Sequence, residues 1–494
     1  MKNLILAAAL SLAATNAAAE PVRVKVETGV LVGDARDGVA SFQAVPYAAP
    51  PVGDLRWAPP ARPVRWTGER DATQQGPACM QKLLPGGLAN GGGVKAPVSE
   101  DCLQAYVWAP VDAKAAPVLV WIHGGSHKTG AGYVTSGAAF ARDGVVVVSI
   151  NYRLGPFGSF AHPALTKAAR GGPVGNYGLM DQVAALDWVK RNISAFGGDP
   201  RQVTVAGESA GAMSVQFLMA TPAARGLYRR AIVQSGGGWY PKETLADREA
   251  TAVAAEPALG LTAPTLADLR ALPAQTVLDK VGGAYAPFVD GVFLKETPTE
   301  AFLRRHVPDV PLMIGTNSGE DILMGPYVPA MSAAVPAKVR AAYPDEAARG
   351  EEALVRADYT DRVFAAPARW VARQASEGAP AWLYHFSYVT SRYRPITKTA
   401  YHAAEIEFVF KDFGATPDRF ISPDDRAMAE LMHACWLAFV KGGPPTCGGA
   451  GPWPAYQASS DTLYQFGSDS GPRTAFRKAQ LDAQTAATSL VPAR

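Results

Sequence analysis

The chain has 494 residues, with 47 Lys and Arg against 44 Asp and Glu and a formal net charge of +3. Its charged share, 18%, lies below the roughly 25% of an average globular protein, and no basic stripe supplies the electrostatic footprint of a nucleic-acid binder. A hydrophobic share of 48% excludes a disordered chain, so a soluble globular protein with a large core is expected.

Met1-Lys2-Asn3 is positive, residues 4–14 are apolar apart from Ser11, and Ala17-Ala18-Ala19 offers small residues for cleavage before Glu20. That is the pattern of a secretory signal over residues 1–19. A membrane anchor would need about 18 consecutive apolar residues, which no stretch supplies, so a secreted or periplasmic chain is expected. Val22-Arg23-Val24-Lys25-Val26 alternates at period two and turns at Thr28-Gly29 into Val30-Leu31-Val32, which predicts an antiparallel hairpin.

Apolar runs follow at 118–122, 145–148, 203–205, 231–233 and 310–314, mostly rich in β-branched residues and flanked by Gly, Pro or Asp. They read as strands buried on both faces. Between the second and third, Leu179, Val183, Leu186, Val189 and Ile193 recur at helical spacing. Strand, helix, strand implies a parallel sheet, and the hairpin makes it a mixed one. An exported chain with four cysteines predicts disulfides. Of the three pairings, proximity favours Cys79 with Cys102 and Cys435 with Cys447, because each pair brackets a Gly- or Pro-rich segment.

Chemistry concentrates at Gly207-Glu208-Ser209-Ala210-Gly211, straight after a predicted strand and before a helical stretch at 212–220. G-x-S-x-G arises by chance about 0.2 times in a chain of this composition. Its place between strand and helix lifts it above a glycine-rich turn and makes it a nucleophile elbow, which exposes the serine hydroxyl. The chain order serine, acid, histidine of α/β-hydrolases leaves His306, His385, His402 and His433 as bases. His385 alternates within a strand, His433 lies in a helical run, and His306 follows Arg304-Arg305. His402 sits beside a polar loop from which it can be aimed, and is favoured. For the acid, the turn after 310–314 offers Glu320 first and Asp321 second. His123-Gly124-Gly125-Ser126 closes an earlier strand as a loop that can donate N–H groups to an oxyanion, with Ala210 on the other side. His123 and His127 have no carboxylate or third histidine nearby in sequence, so no metal is expected there, nor any cofactor.

At this point the sequence resembles the type-B carboxylesterases, which include the cholinesterases. The likeness is carried by Phe42-Gln43-Ala44-Val45-Pro46-Tyr47, Glu100-Asp101-Cys102-Leu103, Asn151-Tyr152-Arg153-Leu154-Gly155, Gly175-Asn176-Tyr177-Gly178-Leu179-Met180-Asp181-Gln182, Phe196-Gly197-Gly198-Asp199-Pro200, the elbow, and His402-Ala403-Ala404-Glu405. It implies one α/β-hydrolase domain over residues 20–494, a mixed and mostly parallel sheet flanked by helices, and small ester substrates. It further implies a triad of Ser209, Glu320 and His402 and oxyanion donors at Gly125, Ser126 and Ala210. The Cys79 to Cys102 loop resembles the family's first disulfide loop, whereas the second pairing rests on spacing alone.

Two departures shape the expectation. Ser126 stands where the family has glycine or alanine, and the first disulfide loop has no aromatic residue to bind a choline cation. Choline esters are therefore not expected. Val281 and Gly283 align with the aromatic wall of the cholinesterase acyl pocket and predict a roomier one. The alternatives are a lipase, for which residues 83–94 could form a cap, and a non-catalytic adhesion relative, against which the three triad positions speak.

Overall fold

The computed structural model describes residues 20–327, 335–448 and 453–491, so the signal segment predicted over residues 1–19 lies outside the described residues. Twelve strands form one path through a mixed sheet: β1 (Glu20–Val26), β2 (Gly29–Arg36), β3 (Val39–Pro46), β4 (Gln104–Pro110), β5 (Ala116–Ile122), β6 (Val146–Ile150), β7 (Gly198–Glu208), β8 (Arg230–Gln234), β9 (Leu312–Asn317), β10 (Ala381–Phe386), β11 (Thr462–Phe466) and β12 (Gly471–Thr474). Their spatial order is β1-β2-β3-β4-β6-β5-β7-β8-β9-β10-β11-β12, and Glu69–Asp71 adds a short strand beside β2. The seven from β6 to β11 are mutually parallel, while β1 to β4 and β12 run antiparallel to their neighbours. The predicted hairpin is β1 and β2, with Val26 opposite Gly29.

Period two explains why the central strands read as unbroken apolar runs. Val118, Val120 and Ile122 of β5 enter one core cluster and Leu119 and Trp121 enter another. The same split separates Val146 and Val148 from Val147 in β6, and Leu312 and Ile314 from Met313 in β9. Each face is covered by helices. On one lie α1 (Tyr177–Asn192) and α2 (Ala210–Ala220), through Leu186, Trp188, Val215 and Phe217; on the other lies α3 (Pro423–Val440), through Met432, Trp436 and Phe439. Burying one such large apolar side chain contributes about 1.5–3 kcal/mol.

Arg153, just past β6, is fixed to Asp181 of α1 by Nε at 2.8 Å and Nη2 at 2.7 Å, with both residues buried. This pair anchors the segment on which the loop after β5 rests, because Gly155 N–H donates to the His127 carbonyl at 2.6 Å.

Both disulfides are present, Cys79–Cys102 and Cys435–Cys447. The loop closed by the first carries one short helical turn at Pro85–Gly87, with Leu84 and Leu88 exposed. No apolar cap helix forms there.

Candidate active site

Ser209 occupies the sharp turn between β7 and α2 with φ 54° and ψ −123°, a conformation strained for an L-residue and costing about 1–3 kcal/mol. The turn is kept by the Ser209 N–H bond to the Gln234 carbonyl at 2.8 Å. Its flanking glycines are required sterically: a Cβ on Gly211 would stand 2.0 Å from the Ile122 carbonyl oxygen, and one on Gly207 would stand 2.5 Å from the Gly211 carbonyl carbon. The elbow is therefore pressed directly against the end of β5.

Beyond β5 the chain turns back over the serine. A Cβ on Gly124 would lie 3.0 Å from that of Ser209. Gly125, Ser126 and His127 then adopt φ of 99°, 57° and 55° in succession. Among the described residues, no acceptor is paired with the N–H of Gly125, Ser126 or Ala210. Ala210 opens α2, where a free N–H carries part of the positive end of the helix dipole.

Glu320 follows β9 and is wholly buried. One of its oxygens accepts from Ser235 Oγ at 2.6 Å and from the Asn317 N–H at 2.7 Å, and the other meets His402 Nδ1 at 2.5 Å. Asp321 turns away to Arg356 at 3.0 Å. The remaining histidines have other engagements: His306 with Glu296, His433 with the Val409 carbonyl and Asp143, and His385 packed on Phe476. Of the four candidates, only His402 faces Glu320.

Two further carboxylates complete the surroundings. Glu208 Oε1 lies 3.1 Å from His402 Nε2, and Glu405 accepts from Asn317 Nδ2 at 2.5 Å and Gln234 Nε2 at 3.1 Å. Burial pushes the Glu208 carboxyl up to about 8, against the pull of His402, and burial likewise raises Glu405. For His402 burial acts downward, but Glu208 and Glu320 outweigh it and hold the imidazole up at about 10.

The sequence matches the Carboxylesterase family over residues 20–484. The chain belongs to that family. It is 33% identical to a fumonisin B1 esterase of Sphingopyxis macrogoltabida, over 92% of this chain and 90% of the relative, and 35% identical to a para-nitrobenzyl esterase of Bacillus subtilis, over 89% and 94%. A solved Geobacillus stearothermophilus carboxylesterase superposes with a TM-score of 0.81 at 34% identity, covering 93% of this chain and 99% of that one. The architecture is the α/β-hydrolase fold, and the protein is a carboxylic ester hydrolase.

Several residues of the carboxylesterase site escaped sequence reasoning. Glu208 and Glu405 were visible as the residue before Ser209 and the third after His402, but a carboxylate in a motif does not announce its burial. Ser235 and Phe364 had no local signal. Phe364 comes from a π-helical turn at Asp361–Ala365 and packs 5.5 Å from the His402 ring; such turns recur at functional sites. Val281 is buried with Val277, Leu278 and Phe288, and a Cβ on Gly283 would meet Thr251. The two histidines of the loop after β5 serve separately, His123 stacking on Tyr152 at 4.6 Å and His127 bonding Ser214.

Proposed function

We propose that this carboxylesterase works through an acyl-enzyme formed on Ser209. His402, oriented through Nδ1 by Glu320, takes the serine proton on Nε2 as Oγ attacks the ester carbonyl. The N–H groups of Gly125, Ser126 and Ala210 receive the developing oxyanion, for which each donor contributes about 2.7–4 kcal/mol. His402 then protonates the departing alkoxide, and water attacks the acyl-enzyme by the same route in reverse. The observations carrying this reading are the His402–Glu320 contact at 2.5 Å and the 3.1 Å approach of His402 Nε2 to Glu208, the residue before a serine held at φ 54°. Glu208, 3.1 Å from Nε2, stabilises the imidazolium formed when the serine proton is taken.

One domain over residues 20–494, exported after loss of residues 1–19, completes the proposal. Two disulfides fit an oxidising compartment, and among the described residues no helix is long and apolar enough to cross a membrane. The relatives' names span fumonisin B1 and para-nitrobenzyl esters, so a p-nitrophenyl ester series of increasing acyl length is the first substrate panel. The test is Ser209→Ala together with mass-spectrometric mapping of a fluorophosphonate label. Loss of turnover with the label on Ser209 is expected, and near-normal turnover by the folded variant would refute the mechanism.

A further inference from the structure

We propose that His127 is a positioning residue that joins the two halves of the oxyanion hole. The inference rests on the mechanism proposed above and assigns a residue that mechanism does not use.

The hole is assembled from parts that are far apart in the chain. Gly125 and Ser126 belong to the loop after β5, whereas Ala210 opens α2 directly after Ser209. A hydrogen-bond donor is effective only if it is aimed at the place where charge develops, so the register between loop and helix must be fixed. The backbone of the loop is tied elsewhere: Tyr152 Oη donates to the His123 carbonyl at 2.9 Å, Gly155 N–H donates to the His127 carbonyl, and Gly130 exchanges hydrogen bonds with the Gln81 amide at 2.9 Å. Those ties hold the loop to the segment after β6 and to the first disulfide loop. None reaches the nucleophile helix.

The His127 side chain does. Its Nε2 lies 3.0 Å from Ser214 Oγ, one turn along α2 from Ala210, and the Ala210 backbone also interacts favourably with the ring. Besides these two contacts of His127, no hydrogen bond joins residues 123–130 to this helix among the described residues. Ser214 is wholly buried and also accepts from Gln182 Nε2 of α1 at 3.0 Å, which fixes the hydroxyl oxygen that the imidazole meets. The ring is also buried, and burial lowers its proton affinity to about 4, so it stays neutral across the working pH range. A neutral ring adds no charge beside the oxyanion, in keeping with a brace.

Backbone conformation shows why a brace is needed. Ser126 and His127 are consecutive non-glycine residues at positive φ, an arrangement that persists only when the surroundings hold it. Without the contact to Ser214, the loop can relax away from Ala210 and carry the Gly125 and Ser126 donors off target.

The experiment compares His127→Leu, His127→Gln and Ser214→Ala with the wild type in three measurements. They are kcat and KM on a p-nitrophenyl ester, the inhibition constant of an alkyl trifluoromethyl ketone, whose adduct with Ser209 carries the oxyanion, and thermal unfolding. His127→Leu and Ser214→Ala are each expected to lower kcat and the ketone's affinity about 10- to 100-fold, with KM within about twofold. Their double variant should lose much less than the sum of the two single losses, since each single change already removes the His127–Ser214 contact. His127→Gln, long enough to reach Ser214, should recover activity to within about fivefold of wild type. Unchanged kcat and ketone affinity in folded His127→Leu, or additive losses in the double variant, overturn the inference. Should His127→Leu fail to fold, Ser214→Ala decides alone by the same two readouts. Fluorophosphonate labelling of wild-type Ser209 separates this outcome from failure of the underlying mechanism, in which the wild type itself would not be labelled.

Discussion

Replacing Glu208 with glutamine removes one of the two carboxylates that flank His402 while keeping the side chain's size. The distance is 3.1 Å from Oε1 to Nε2. At an effective dielectric near 20, two full charges this close interact by roughly 5 kcal/mol, which corresponds to about four pKa units. Burial holds Glu208 itself up to about 8, so near neutrality only part of it is ionised and only that part acts on the imidazole. A shift of about one to two units is therefore expected. In the proposed mechanism His402 must be neutral to accept the serine proton, so its raised proton affinity places the acid limb of kcat/KM above pH 6.5, and Glu208→Gln moves that limb to lower pH. Background-corrected initial rates on a p-nitrophenyl ester between about pH 5 and 9.5 measure it, because this limb reports ionisation of the free enzyme. A limb that stays in place or climbs in the variant would falsify the assignment of Glu208 as a partner of the imidazolium.

Glu320→Gln should lower kcat by about 10³–10⁴-fold through the wrong imidazole tautomer, while Asp321→Asn, which only loosens the contact to Arg356, should stay within about threefold in the same steady-state assay. Ser235→Ala takes the hydroxyl donor from buried Glu320 and should reduce kcat/KM about tenfold, with a loss of about 1.5–3 kcal/mol in stability by urea unfolding. Gly211→Ala forces a methyl against the Ile122 carbonyl at 2.0 Å and should destabilise by about 1–3 kcal/mol or more while depressing turnover, read by thermal unfolding and activity together. Removing either disulfide, with sequence separations of 23 and 12 residues, should cost about 3 kcal/mol, and non-reducing peptide maps of the exported protein should show both bridges.

How much of this was legible in the sequence depended on whether the signal was local. The strands of the parallel core were visible because burial on both faces leaves continuous apolar runs, and the elbow was visible because close packing against β5 admits only glycine at 207 and 211. β4 was not recognised, although its Tyr106, Val107 and Trp108 are buried, since nothing in Gln104–Pro110 marks it as a strand that bridges the antiparallel and parallel parts. In sequence only context separates His402 from the three other histidines, whereas in space it alone of the four contacts Glu320. Glu405 and Ser235 reach the site through pairings more than 80 residues apart, and no local pattern encodes such a meeting.

The sheet order has one more consequence. From β5 the chain leaves toward β6 on one side, and after returning through α1 to β7 it leaves toward β8 on the other. The carboxyl ends of β5 and β7 are thus neighbours whose outgoing segments diverge, which opens a crevice at a topological switch point without removing a single core side chain. Ser209 follows β7 and the glycine loop follows β5 at that switch point. Substrate preference can therefore be rebuilt in the segments that leave it, while the apolar layers beneath remain the same.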